Sequence, residues 1–169
     1  MRYFVYFTGL CFLLSSLFFS QSFSQLFSQT SAPPKEAVMH AAGSFDVKVT
    51  PLADQSGDPT LGRMALDKQY HGDLEATGKG QMLTAGSPAK GAGGYVAIEK
   101  VTGMLNGKSG SFVLQHTGTM SHSGTQLTIT VVPESGTDQL EGIAGKLNMK
   151  VAPDGKHSYE FEYTLPTNI

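Results

Sequence analysis

The sequence predicts an all-β fold: an antiparallel β-barrel of about eight strands, preceded by a signal peptide. Three observations predict it. From Ser44 onward apolar and polar residues alternate with period two, the pattern of strands with one buried face. Clusters of Gly, Pro, Asp, Asn and Ser interrupt these runs at short intervals, as they do in sandwiches and barrels. No stretch after the N-terminal leader carries a helical period. Eight such strands favour closure into a barrel with a filled or ligand-sized interior.

The leader differs in kind from the rest. Met1-Arg2 is followed by the apolar run YFVYFTGLCFLLSSLFF, then by small polar residues, which is the order of a secretory signal peptide. The expected boundary is cleavage after Ser24, giving a signal over 1–24. The run is shorter than the roughly 20 residues of a spanning helix, so no stable membrane span is expected after cleavage. Residues 25–40 contain repeated Phe-Ser-Gln and the segment TSAPPKEA, a disordered linker by composition. The barrel domain is expected over 41–169. Export to the periplasm or beyond follows; translation from Met39 would instead give a cytoplasmic product.

The strands follow in order. Ser44–Thr50 turns Phe45, Val47 and Val49 to one face, and Pro51–Thr60 is a loop. Leu61–Tyr70 aligns Met64, Leu66, Lys68 and Tyr70, and His71-Gly72 turns the chain. Asp73–Leu83 aligns Leu74, Ala76, Gly78, Gly80 and Met82, its glycines pointing to a bend or bulge. Thr84–Ala92 is a loop. The stretch Gly93–Met120 folds back at Asn106-Gly107, because a type I′ turn needs positive φ at both central residues. A two-residue loop there pairs Leu105 with Lys108, Val101 with Phe112, Glu99 with Leu114 and Ala97 with His116. A turn near Ser121–Gly124 leads to Thr125–Val132, then to the loop Pro133–Asp138 and a strand Gln139–Val151. Pro153-Asp154-Gly155 turns into Lys156–Thr164, with His157, Tyr159, Phe161 and Tyr163 on one face.

This pairing places Glu99 and His116 diagonally on the inward face of the hairpin, within side-chain reach. Lys68 shares the predicted interior. A buried ionisable group needs a partner, so the three residues are candidates for an acid–base or ligand-orienting cluster, or for a structural brace. Burial would raise the Glu99 carboxyl pKa and a cationic neighbour would lower it; the sequence leaves that contest open. Tyr159 and Tyr163 are ligand-binding candidates because their hydroxyls need partners. The turn Ser135-Gly136-Thr137 is a candidate anion site through its backbone N–H groups.

Other chemistries are set aside. Removing residues 1–24 removes Arg2 and no acid, leaving 14 acids against 11 bases and a net charge of −3. That balance argues against nucleic acid and anionic membrane surfaces. The only cysteine, Cys11, lies in the leader, so the mature chain has no thiol chemistry. His40, His71, His116, His122 and His157 form no HExxH pair, and no metal or cofactor is expected. Gly103–Ser109 resembles a phosphate loop but has one residue too few between its glycines. Ser87-Pro88-Ala89-Lys90 matches Ser-x-x-Lys without the companion motifs. Val96, Ile98 and Val113 face outward on the hairpin and offer a surface for homo-oligomer formation.

The strings GSFDVKVTP, KQYHGDLEATGKGQML, GKSGSFVLQHTGTM and VVPESGTDQLEGIAG, closed by HSYEFEYTL, together resemble the DUF3224 family of uncharacterised proteins over about residues 41–165. The resemblance implies a small barrel like that of allene oxide cyclase, with no established activity. Lys68, Glu99, His116 and the Ser135-Gly136-Thr137 turn are the matching positions of interest. The apolar leader is a departure from many members. Three functions are expected to compete: a barrel that binds a small apolar or amphipathic molecule, a cofactor-free isomerase or cyclase, and a structural barrel without ligand.

Overall fold

The computed structural model describes residues 37–53, 55–87 and 91–166. The signal expected over 1–24 and most of the linker expected over 25–40 lie outside the described residues. The chain forms β1 (Met39–Leu52), β2 (Leu61–Gly72), β3 (Leu74–Ser87), β4 (Ala92–Leu105), β5 (Lys108–Ser121), β6 (Gly124–Val131), β7 (Ala144–Val151) and β8 (His157–Thr164). Each strand pairs antiparallel with the next, and β8 returns to β1 to close the barrel. Asn106 and Gly107 adopt φ of 47° and 78°, the geometry a two-residue I′ hairpin demands. The register places Glu99 opposite Leu114 and Ala97 opposite His116, as expected.

Three boundaries differ from the sequence reading by more than two residues. β1 begins at Met39, because Met39–Phe45 pairs with β8. β3 and β4 continue through most of the expected loop 84–92, pairing from Thr84 opposite Tyr95 to Ser87 opposite Ala92. Small residues carry no apolar signal, but a backbone ladder does not require one. Finally, β7 begins at Ala144 rather than Gln139. Asp138–Leu140 is a single 3-10 turn that buries Leu140, and Ile143 is buried beside it.

The barrel has two unlike ends. The turns at His71–Asp73 and Asn106-Gly107 and the segment 132–143 meet at one end. Leu74, Leu105, Leu140, Ile143, Phe161 and Tyr163 fill it and are almost fully buried. Phe161 stacks between Phe112 (centroids 5.6 Å apart) and Tyr163 (5.1 Å), within the range for favourable ring pairs. The connections β1–β2, β3–β4, β5–β6 and β7–β8 gather at the other end, which is open.

β6 is shorter than β5 and pairs only with its second half, Leu114–Ser121. The segment after β6 covers the exposed remainder. Val132 N donates to Val113 O, and Thr137 N to Ser111 O. Val113 N donates to Ser135 Oγ, Ser111 N to Thr137 Oγ1 and Ser109 N to Gln139 Oε1. Side-chain oxygens thus substitute for a strand's carbonyls and satisfy an otherwise bare edge.

Along the strands the alternation runs mainly apolar inward and polar outward, the reverse of a barrel that faces lipid. Among the described residues no helix is long and apolar enough to cross a membrane.

Candidate functional site

At mid-height the apolar interior is interrupted by a polar cluster. Glu99 on β4 is fully buried, and Lys68 on β2 and His116 on β5 are 7% and 3% exposed. Lys68 Nζ donates to Glu99 Oε2 at 2.8 Å and to the Tyr70 hydroxyl at 3.2 Å. The Tyr70 hydroxyl donates to Glu99 Oε1 at 2.9 Å. Lys68 Nζ also sits over the Phe45 ring, 4.8 Å from its centroid, a favourable cation–π distance. His116 Nε2 approaches Glu99 Oε2 to 3.0 Å, but no directed hydrogen bond forms from it. We read this as an electrostatic contact, since distance without alignment makes a weak bond.

Lys68 and Glu99 lie on strands separated by β3, and the glycines of β3 let them meet. Gly78 stands opposite Lys68, and Gly80 opposite Glu99. A Cβ at Gly78 would collide with Glu99 Oε1 and crowd the Tyr70 ring. Gly78 thus leaves a gap on the inner face of β3 in which Lys68 and Tyr70 meet the carboxylate, while Gly80 lets the β4 backbone at Ile98 and Glu99 approach closely. Of the expected bend or bulge, the bulge is absent, because the register runs unbroken on both sides.

Burial is the largest influence on Glu99 and pushes its carboxyl pKa up. The His116 contact and the Lys68 charge and hydrogen bond together outweigh it, so the carboxyl is held below its ordinary value. Tyr70 is pushed far up, first by burial and then by the Glu99 charge; it therefore remains a proton donor. A carboxyl whose folded value is depressed contributes stability above its unfolded value, and loses it as pH falls through the folded one. The unfolding free energy should thus drop on acidification below about pH 4.5. Glu99→Gln should flatten part of that slope. Asp58, Asp154 and Glu160, also depressed, are common to both proteins and cancel in the difference. Urea unfolding between about pH 3 and 6 measures this; equal slopes would refute the assignment.

Above the cluster, toward the open end, lies a cavity of about 740 Å³. Its walls include Val47, Leu66, Tyr95 and four methionines, Met64, Met82, Met120 and Met149. Lys68, His116 and the Phe45 ring also line it, whereas Glu99 does not. Glu99 stands behind the surface and positions Lys68 and His116. Methionine is flexible and polarisable, so this wall can adapt to different apolar shapes.

The structure brings Lys68, Glu99 and His116 together. It places the other candidates elsewhere. Tyr159 accepts from Leu74 N at 2.9 Å and donates to His71 O at 3.3 Å, and Tyr163 accepts from Asn106 Nδ2 at 3.0 Å. Both serve the closed end and lie outside the cavity. The Ser135-Gly136-Thr137 turn spends its Ser135 and Thr137 N–H groups on Val132 O and Ser111 O, so those two donors are engaged within the fold. Tyr70 and Gly78 escaped the sequence reading as site residues. Tyr70 shares the face of Lys68 two positions on, and that spacing was the available signal.

A family model described as "Protein of unknown function (DUF3224)" matches residues 41–163. A crystal structure of a DUF3224-family protein of unknown function from Shewanella oneidensis MR-1 is similar. It is 44% identical, with a TM-score of 0.72, over 78% of this chain and 100% of that one. Comparison with curated proteins gives no match.

Proposed function

This chain belongs to the DUF3224 family, and we propose that it is an exported carrier for a small apolar or amphipathic molecule held in the open end of its barrel. The cavity carries this reading. About 740 Å³ lies within the roughly 300–1,000 Å³ of small-molecule sites. Its walls are mainly apolar and its floor offers a few convergent polar groups, the usual composition of such sites. The apolar leader supports action outside the cytoplasm.

The floor also supports a second reading, cofactor-free acid–base chemistry such as an isomerisation. In that case His116 or Lys68 would touch substrate and Glu99 would position them. A patch of half-exposed Leu83, Val96 and Ile98 on the outer face favours association of barrels there, while Val113 is partly covered.

Native mass spectrometry of the protein purified after export tests all three. Excess mass of roughly a few hundred daltons, released on denaturation, is the expected result. A bare mass that also fails to gain ligand from a lipid extract would sink the carrier reading. Chemical alteration of the released molecule on re-incubation would move the assignment to an enzyme. The same spectrum reports the number of subunits.

A further inference from the structure

We infer that the cavity takes its ligand head-first, and that the head is a neutral hydroxyl on an otherwise apolar molecule. This rests on the carrier reading and narrows it.

With a neutral His116 ring, charge is spent at the cavity floor. Lys68 and Glu99 form an ion pair at 2.8 Å, both almost fully buried. A carboxylate head would add a second anion close to Glu99 in a poorly solvated site, where an uncompensated charge is expensive.

Hydrogen-bonding capacity is not spent. An ammonium has three N–H bonds, and among the described residues Lys68 has two acceptors, Glu99 Oε2 and the Tyr70 hydroxyl. The third N–H has no protein acceptor. Among the described residues His116 makes no directed hydrogen bond from Nε2, and none is formed at Nδ1. Nε2 lies 3.0 Å from a carboxylate oxygen, which can only accept, so the electrostatics favour a proton on Nε2 over a lone pair. Nδ1 is then an acceptor in the neutral ring and a donor in the protonated one. Lys68 Nζ and His116 Nε2 approach the same Glu99 oxygen and both residues line the cavity, so both border the floor on which a head group would rest. A hydroxyl is donor and acceptor at once. It can accept from Lys68 and satisfy His116 in either state, whereas a carbonyl can serve only the protonated ring.

The test uses three probes on one skeleton, butylbenzene, phenylbutanol and phenylbutanoate, each displacing the neutral dye N-phenylnaphthylamine from the full-length protein. Two variants remove the floor by different routes. His116→Phe deletes the ring nitrogens, and Lys68→Met with Glu99→Gln deletes the ammonium together with its charge partner. Each should weaken phenylbutanol about tenfold, the value of a well-made hydrogen bond, and leave butylbenzene within about threefold. Thermal melts establish that each variant is folded, and the second route decides if the first variant is not. Equal effects on phenylbutanol and butylbenzene would overturn the head-group inference and leave the carrier reading standing. A selective loss of phenylbutanoate would overturn it in favour of an anionic head. Failure of the wild-type protein to bind the dye or any probe would overturn both.

Discussion

Replacing Lys68 with methionine is expected to destabilise the barrel by about 3–5 kcal/mol, and adding Glu99→Gln to the same chain is expected to restore most of that loss. The single change removes the cation that holds Glu99 Oε2 at 2.8 Å and leaves a fully buried carboxylate. Tyr70 still donates to Oε1, and His116 still lies beside Oε2, but neither supplies the lost charge and directed bond together. Breaking one half of a buried pair is far more harmful than removing both halves, because the orphaned charge keeps its desolvation penalty. Methionine keeps an unbranched apolar stem while removing the ammonium that sits over the Phe45 ring, so the effect reads charge rather than volume. Urea unfolding at neutral pH measures all three variants and closes a double-mutant cycle. Two single losses that simply add in the double variant would mean that the pair is not coupled, and that the cluster is a set of independent polar groups.

The cluster was half legible in the sequence. Period two and the Asn106-Gly107 turn set the hairpin register, and the register alone brought Glu99 and His116 onto one inward face. Lys68 was assigned to the interior by its alternation with Leu66 and Tyr70. What joins Lys68 to Glu99 is the absence of a side chain at Gly78. A missing side chain reads from sequence as a weak strand or a bulge, and only the pairing of β3 between β2 and β4 turns it into a passage. Tyr159 and Tyr163 point to the opposite difficulty. Their face was correct, but alternation does not say at which height of the barrel a residue sits, and these two lie toward the closed end. The segment 139–143 reads as strand in the sequence because Leu140 and Ile143 are apolar, but a turn that folds across the barrel end buries them, and such a turn has no period to detect.

The closed end should be separable from the open one. Phe161→Ala is expected to cost about 3–5 kcal/mol, since Phe161 is 1% exposed and is stacked between Phe112 and Tyr163. The neighbouring backbone is already shaped to the ring, for a Cβ at Gly145 would come within 2.9 Å of it. A rigid barrel wall cannot collapse into the space that alanine leaves, so the cavity term adds to the lost transfer energy. Phe161 does not line the cavity at the open end, which is walled by other parts of the strands. Dye binding per folded molecule should therefore be unchanged in Phe161→Ala under native conditions, while the urea midpoint falls. Loss of dye binding by a variant that still gives a native circular dichroism spectrum would mean that plug and cavity form one mechanical unit. Retained binding would mean that stability is concentrated at the closed end, leaving the methionine-lined open end free to adapt to what it holds.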